Sequence, residues 1–430
     1  MAPRTKRRHL TDLSEDQSDE ICRPATQSQK DSWNGFCEIE SEPALFNVML
    51  REFGVRGVKI QEVVSLDQEM MAFLKYDLGL KNVLFFFYFP LRPLPCLANQ
   101  IWGSKPIYGL IFLFRWQEDD TDQQEPSCPD GLWFANQTAS NACASVALLN
   151  IVNNIPDIDL GENLQHFKEF TKTFTPALRG DAINNFEFVK RVHNTFARKM
   201  DILNADLQLK TEATSKKRHK GQDTNDSDGS FHFIAFMPVM GQVWKFDGLE
   251  RQPQSLGECS EDDWLEVARP NILDRMAAYE EDQIEFSILG VVRDPLHDLI
   301  RQLAINVRSL QMLNARLTSS ATPVLPDGIT SLSEFKETVL DSDLSYGLGH
   351  EEIDAAVVPE MTSSEASPGF AAELEELREA QGELRVRIRE EQQSQRIDED
   401  HARGRRYDYG PALRTWLRFL ARKQVLAELV

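Results

Sequence analysis

A hairpin pattern in the second half of the chain constrains its fold more than any other feature. Two runs rich in β-branched and aromatic residues, Phe231–Met237 and Gln242–Phe246, flank Pro238–Gly241, whose proline and glycine are turn residues. Antiparallel pairing makes the two runs neighbouring strands of one sheet. The chain is therefore expected to contain an antiparallel sheet that includes this hairpin.

The hairpin also carries a histidine and an aspartate that can work as a pair. If the turn is centred between Val239 and Met240, His232 lies directly opposite Asp247, with Cβ atoms roughly 5 Å apart. A carboxylate at that distance can accept the ring N–H of an imidazole and orient it as a base. A slip of one residue would put the two groups on opposite faces of the sheet. A lone histidine between two phenylalanines on a strand is more often a structural residue.

A cysteine stands at the predicted start of a helix in the first half of the chain. After Cys143, apolar residues follow at the spacing of one helical face, at Val146, Leu149 and Val152. Free backbone N–H groups and the positive end of the helix dipole favour a thiolate there, and the thiolate is the form of cysteine that attacks. Because a lone cysteine before a helix is more often inert, its interpretation as a nucleophile depends on its partners.

Gln137 precedes this cysteine on an irregular stretch. Its side-chain NH₂ can donate to an oxyanion, and the backbone N–H of Cys143 is a second donor. Together, Cys143, His232, Asp247 and Gln137 predict a nucleophile, a base, the residue that orients the base and an oxyanion donor.

The residues around these four resemble the ubiquitin C-terminal hydrolase family of cysteine proteases. The resemblance runs from Trp33 to Asp294 and includes Phe53–Gly57, Tyr108–Trp116, Phe167–Phe170, Val192–Arg198 and Asp262–Trp264. It implies an α/β, papain-like cysteine protease fold with a central antiparallel sheet flanked by helices. The long tail, with Arg405–Pro411 near its end, resembles the proteasome-associated branch of the family and implies a helical C-terminal extension.

The resemblance also implies roles and a substrate. In the family, the residues that match Cys143, His232, Asp247 and Gln137 are the nucleophile, the acid/base, its orienter and the oxyanion donor. Members cleave the thioester, amide or isopeptide bond after the C-terminal glycine of ubiquitin, and they need no metal or organic cofactor. Ubiquitin and its conjugates are the expected partners, and in the long-tailed branch the C-terminal helices recruit a proteasome receptor subunit.

Two other functions stay open from the residues themselves. One is a catalytically idle ubiquitin-binding scaffold that acts through its helical tail. The other is a papain-like protease with a different substrate, since a fold does not fix a function. The presence of all four catalytic residue types favours the hydrolase.

Composition excludes some classes of protein. The net charge of −21 argues against binding of nucleic acid and for partners with basic patches, among them the basic tail of ubiquitin that the resemblance implies. The six cysteines have no paired short spacing, so neither a zinc site nor a disulfide framework is expected. The basic N-terminus lacks the apolar run of a secretory signal, and a cytoplasmic or nuclear location is expected. Lys6–Arg8 and Lys216–Lys220 match nuclear-import signals only weakly, and a solvated charged stretch is the favoured interpretation of each.

Changes in charge and periodicity divide the chain into parts. We expect a disordered tail at 1–31, a catalytic domain at 32–294 with a flexible crossover loop at 201–230, an amphipathic helix at 295–318, a flexible linker at 319–369 and a helical extension at 370–430. In the family the crossover loop lies over the active site, but a tolerated surface insertion is nearly as plausible here. The heptad spacing after Leu374 covers only two heptads, which leaves a coiled coil and a single docking helix open.

Regular elements are predicted inside these parts. Strands are expected at Ile107–Trp116 and Ile284–Val292, and helices at Glu42–Phe53, Asn163–Phe174, Ala182–Lys199, Glu261–Tyr279 and Pro411–Val430.

The segment Lys75–Ser104 departs from the family pattern. Its apolar run, Asn82–Cys96, is too short and too often interrupted by proline to span a bilayer, and no membrane partner is expected. A translated, unremoved intron and a genuine apolar surface flap are both open interpretations.

Overall fold

The computed structural model describes residues 24–63, 66, 107–115, 125–205, 207, 231–260, 263–280, 286–319, 338–357 and 369–423. The segment 75–104, residues 208–230 of the expected crossover loop and residues 1–23 of the expected tail lie outside these ranges. The chain divides into two compact units. The first takes its residues from Met1–Val55, Ile60–Val292 and Asp400–Val430, and the second from Arg56–Lys59 and Arg293–Glu399.

A six-stranded sheet forms the centre of the first unit. In chain order its strands are β1 (Val58–Glu62), β2 (Ile107–Arg115), β3 (Phe231–Val239), β4 (Gln242–Asp247), β5 (Gln254–Glu258) and β6 (Ser287–Arg293). Their order in the sheet is β1-β6-β2-β3-β4-β5. The pairings β2–β6, β2–β3, β3–β4 and β4–β5 are antiparallel, which confirms the central antiparallel sheet and the hairpin.

Helices make up most of the remaining regular structure of the two units. They are α1 (Gln27–Ser32), α2 (Pro43–Phe53), α3 (Cys143–Val152), α4 (Gly161–Phe170), α5 (Pro176–Asn184), α6 (Glu187–Asn194), α7 (Trp264–Glu280), α8 (Leu296–Ser319), α9 (His350–Ala355), α10 (Gly369–Arg406) and α11 (Gly410–Arg422). Within the described ranges, none of these helices combines the length and the apolar character that crossing a bilayer requires.

The core of the first unit packs helices against the sheet. Side chains of α7, including Trp264 and Ile272, share one buried cluster with Phe112 and Phe236 from the two central strands. The helix α3 packs closely on β2 at Gly109, where a Cβ atom would lie 2.9 Å from Phe236 O and 3.2 Å from the Ile151 side chain. The last turn of α3 is thereby packed closely against the sheet.

Two helix predictions differ from the structure. The stretch Ala182–Lys199 was expected to be one helix but forms parts of α5 and α6. The helix α5 ends at Asn184, and the Asn185 side chain donates back to Asp181 O at 2.7 Å, a local bond that competes with continued helix. Near the N-terminus, α1 begins inside the expected disordered tail and ends one residue beyond it, and a capping box of Thr26 and Gln29 stabilises its start.

The second unit has its own core, and it corrects the expected linker. Residues 338–357 are ordered, and Tyr346, Leu348 and Ile353 are buried with α8 residues such as Leu303. Ile388 of α10 lies in the same cluster. The prediction of a flexible linker across all of 319–369 is therefore wrong for 338–357, and α10 docks as a single helix on these neighbours.

Candidate active site

The helix α3 begins at Cys143, as its apolar spacing predicted. Asn141 has a φ of 61°, in the left-handed region that asparagine tolerates better than most residues. This turn is followed by Ala142 as the N-cap, so Cys143 is the first residue of the helix. Its side chain is half-buried, and the free backbone N–H groups of the first helical turn lie beside it.

The hairpin places His232 and Asp247 differently from the predicted register. Ile234, and not His232, lies opposite Asp247, because the turn is centred between Met240 and Gly241. Both turn residues have positive φ, 54° and 74°, as a two-residue hairpin turn of this type requires. The prediction of a directly opposed pair is thus wrong by two residues. A shift of two keeps both side chains on one face, and His232 Nε2 lies 2.7 Å from Asp247 Oδ1.

His232 lies between Asp247 and Cys143. Burial on its own would lower the pKa of His232, but hydrogen bonds to Asp247 and to the Cys143 thiol outweigh burial and raise it to about 9. Burial likewise opposes ionisation of Asp247, yet the hydrogen bond and charge of His232 keep the pKa of the Asp247 carboxyl below the usual 3.8. Leu249 N–H also donates to Asp247 Oδ1, at 2.9 Å. The imidazolium form of His232 is therefore favoured at neutral pH.

Gln137 is tied to the turn that follows Asp247. Its backbone N–H donates to Gly248 O at 2.7 Å, and a Cβ atom on Gly248 would lie 3.1 Å from Gln137. The Gln137 Oε1 atom is buried and has no hydrogen-bond partner among the described residues. Gln137 thus contacts Gly248, the residue that follows Asp247, and His232 contacts both Asp247 and Cys143.

A buried polar network anchors the first turn of α3 from its other side. Ser145 Oγ lies 2.8 Å from His193 Nδ1, and His193 Nε2 lies 2.7 Å from Cys37 O. Since a carbonyl only accepts, Nε2 carries the proton and Nδ1 accepts from the Ser145 hydroxyl. Burial lowers the pKa of His193 to about 4, against a smaller opposing effect of the Cys37 carbonyl, so this histidine is neutral.

A cavity of about 250 Å³ adjoins the loop between Gln137 and Cys143. Its lining residues are Trp33–Phe36, Thr138–Asn141, Asn184 and Ala205. Within the described ranges, no cluster of three or more His, Cys, Asp or Glu side chains could hold a metal ion.

Three residues near the site were not singled out from the sequence. Asn150, Asn154 and Arg179 bind the backbone of the segment that leads to Gln137. One signal existed in the sequence: two asparagines four residues apart in and just after an otherwise apolar helix.

The antiparallel sheet, its flanking helices and the cysteine at a helix start define a papain-like cysteine peptidase fold. A family model described as ubiquitin carboxyl-terminal hydrolase, family 1, matches residues 36–93 and 94–277. The chain belongs to this family.

The chain is also similar to individual proteins. The chain is 34% identical over 260 residues to "Ubiquitin carboxyl-terminal hydrolase isozyme L5" of Dictyostelium discoideum, a match that covers 60% of this chain and 62% of that protein. It is 33% identical over 264 residues to "Ubiquitin carboxyl-terminal hydrolase ubh-4" of Caenorhabditis elegans, which covers 61% and 67%. A crystal structure of Trichinella spiralis UCH37 bound to ubiquitin vinyl methyl ester has 30% identity and a TM-score of 0.44, covering 62% of this chain and 86% of that one.

Proposed function

We propose that this protein is a thiol-dependent deubiquitinase that hydrolyses the thioester, amide or isopeptide bond at the C-terminal glycine of ubiquitin. The observation that carries the proposal is the position of His232, which is bonded to Asp247 at 2.7 Å and interacts with the Cys143 thiol on its other side. That arrangement supplies a nucleophile and an oriented acid/base. Family membership supplies the substrate class.

Each group has one task in the proposed reaction. The Cys143 thiolate attacks the glycine carbonyl, and Gln137 with the Cys143 N–H stabilises the oxyanion. Protonated His232 gives its proton to the leaving amine, and a thioester remains on Cys143. Water then attacks the thioester with His232 as base, and Asp247 holds the imidazole in place throughout. No metal ion takes part in these steps.

The test is hydrolysis of a fluorogenic ubiquitin C-terminal amide by the full chain. We expect turnover by the wild type, none by Cys143→Ala, and ubiquitin binding by both. Gln137→Ala should lower kcat by roughly 100-fold or more, because one oxyanion donor is lost. Turnover by Cys143→Ala at the wild-type rate would contradict the proposal.

The same assay separates the two other functions. An idle ubiquitin-binding scaffold would bind ubiquitin, and the wild type would show no more turnover than Cys143→Ala. A papain-like protease with another substrate would cleave a peptide amide that lacks the ubiquitin domain as fast as the ubiquitin amide.

We also propose that the C-terminal helices bind a proteasome receptor subunit. In α11 the side chains of Leu413, Trp416, Leu417 and Phe419 are between 46% and 59% exposed, which is a large apolar surface for one short helix. Proteasome subunits should co-purify with the full chain and with Arg418→Glu, which lies on the opposite face of the helix, and should be lost with Trp416→Glu. A folded wild type that captures no proteasome subunit would contradict this part.

A cytoplasmic or nuclear location is part of the proposal. The four described cysteines, Cys37, Cys128, Cys143 and Cys259, are all free thiols, which suits a reducing compartment. Fluorescence microscopy of the tagged full chain tests it, and accumulation in a secretory compartment would contradict it.

A further inference from the structure

The backbone of the segment that ends in Gln137 forms hydrogen bonds mainly with side chains, whereas a strand in a sheet would bond to the backbone of a neighbouring strand. Residues 132–137 belong to no helix or strand. Buried backbone groups in such a segment need other partners, because an unpaired N–H or C=O away from water is costly. Most of these partners come from three side chains on two helical elements.

Two asparagines each bind both backbone polar groups, the N–H and the C=O, of one residue in this segment. Asn150 Oδ1 accepts Ala135 N–H at 2.8 Å, and its Nδ2 donates to Ala135 O at 3.2 Å. Asn154 Oδ1 accepts Trp133 N–H at 2.9 Å, and its Nδ2 donates to Trp133 O at 2.6 Å. Because the amide has one acceptor and one donor side by side, each asparagine replaces one residue of a paired strand.

The alternate carbonyls of the segment are bound by an arginine. Arg179 Nη1 donates to Leu132 O at 3.1 Å and to Phe134 O at 3.2 Å. Its Nε and Nη2 donate to two further carbonyls, of Thr171 and Lys172. The guanidinium also lies over the Trp133 ring, 5.7 Å from its centroid. Arg179 thus binds the side of the segment that the asparagines leave free.

Asn150 links this segment to the nucleophile. It lies seven residues after Cys143 in the same helix, and two full turns return to nearly the same face. The helix that presents Cys143 at its first residue therefore binds, two turns later, the backbone N–H and C=O of Ala135, two residues before Gln137. The asparagine is fully buried, so its bonds are shielded from water.

We propose that Asn150 is a positioning residue for the oxyanion donor, with Asn154 and Arg179 in support. This inference rests on the proposed function, because it assigns Asn150 an effect on the reaction that acts through Gln137. Asn150 fixes the distance between Gln137 and the thiol of Cys143. A displacement of about 1 Å at such a donor can cost on the order of 100-fold in rate.

The test compares Asn150→Ala with wild type in hydrolysis of the fluorogenic ubiquitin amide. We expect kcat to fall roughly 10- to 100-fold with KM within about threefold of wild type, because oxyanion stabilisation is lost and ubiquitin binding is not. The rate of Cys143 alkylation by iodoacetamide should stay within about twofold, since alkylation forms no oxyanion. The double variant Asn150→Ala with Gln137→Ala should be no slower than Gln137→Ala alone.

Asn153→Ala is the matched control. Asn153 is also buried at the end of this helix, but its Nδ2 donates to Leu149 O within the helix itself. We expect its kcat to match wild type. If Asn150→Ala fails to fold, the part-buried Asn154→Ala serves in its place and should show the same pattern at smaller size.

The outcomes separate this inference from the proposed function. Failure of the wild type to hydrolyse the substrate would overturn the proposed function itself. If the wild type turns over the substrate but Asn150→Ala has the same kcat, the positioning role alone is overturned. It is also overturned if the fold-reductions in kcat caused by Asn150→Ala and Gln137→Ala multiply in the double variant. A large fall in the alkylation rate would also overturn it, because it would show general distortion of α3.

Discussion

His232 and Asp247 lie diagonally across two neighbouring strands, and their hydrogen bond of 2.7 Å spans that diagonal. The residue directly opposite Asp247 is Ile234, two positions from His232 on the same face. Diagonal neighbours are farther apart at Cβ than opposed ones, yet an imidazole and a carboxylate are long enough to meet. The orientation of the base therefore depends on both strands and on the turn between them.

Asp247→Asn should lower kcat by roughly 100-fold or more and shift its pH dependence. With the carboxylate gone, burial of His232 is no longer outweighed to the same degree, so its pKa falls from about 9. We expect the alkaline limb of the kcat/KM profile to move to lower pH. The measurement is hydrolysis of the fluorogenic ubiquitin amide from pH 5 to 10.

The Asp247→Asn variant has a control at an exposed aspartate. Asp341→Asn, at a largely exposed aspartate of the second unit, should leave the profile unchanged. In wild type the pKa of His232 is raised, so protonated His232 stabilises the folded state. This stabilisation is fully present below pH 6.5 and is lost as the pH rises through about 9. An alkaline limb that does not move in Asp247→Asn would contradict the assigned pairing.

Gly180→Ala should impair both folding and catalysis. A Cβ atom at Gly180 would lie 2.2 Å from Asn136 O, a backbone atom next to Gln137. Relief of that overlap must move either α5 or the segment 132–137 that ends in Gln137. We expect a loss of about 1–3 kcal/mol in unfolding free energy together with a lower kcat. Urea denaturation and the ubiquitin amide assay measure the two effects.

Gly382→Ala is the matched glycine control. A Cβ atom there would meet nothing within 4 Å, and alanine favours a helix by up to about 1 kcal/mol. This variant should be as stable as wild type or more stable. Equal stability of the two alanine variants would show that Gly180 is not needed for close packing.

His193→Gln should weaken the acid sensitivity of the fold. The folded state keeps His193 neutral down to about pH 4, whereas the unfolded chain takes up a proton below 6.5, so acid favours unfolding. The difference amounts to about 2 kcal/mol at pH 5. Urea denaturation of wild type and variant at pH 7 and pH 5 should show a smaller fall in stability for the glutamine variant. An identical fall in both would contradict the neutral state of His193.

Arg405→Ala should destabilise the first unit. The Arg405 side chain is only 10% exposed and binds Glu40 at 2.7 Å and Asp201 at 3.0 Å, as well as the Phe196 carbonyl at 2.9 Å. Loss of these charged bonds should lower the unfolding free energy by roughly 2 kcal/mol. Arg403→Ala is the control, because that side chain is 77% exposed and its ion pair is with Asp400, three residues away. Thermal denaturation of the full chain should show a clear fall in Tm for the first variant and almost none for the second.

Local patterns predicted the elements of the fold better than their junctions. The start of α3 at Cys143 and the strand β2 follow from apolar spacing, which is a property of a few neighbouring residues. The hairpin register was wrong by two because the type of turn, with Met240 and Gly241 both at positive φ, decides it. The ordered stretch at 338–357 was missed because only three apolar side chains in it are buried, and their partners lie on distant helices.

The residues of the candidate site also differ in how well the sequence predicted them. Cys143, His232, Asp247 and Gln137 were predicted from residue type and family resemblance; His232 contacts Asp247 and Cys143, and Gln137 contacts Gly248. Asn150, Asn154 and Arg179 were not singled out, because the spacing of the two asparagines, the one available signal, does not show what their side chains bind. Their partners in the segment 132–137 become visible only once the helix and that segment are adjacent.

The pairing of β2 with β3 has a consequence for how activity is acquired. These strands hold His232 next to Phe114, although the whole of α3 to α6 lies between them in the chain. Contacts that close so long a stretch of polypeptide form slowly. During refolding, the contact between His232 and Asp247 and the proposed hydrolysis that depends on it are therefore expected to appear after the helices have formed.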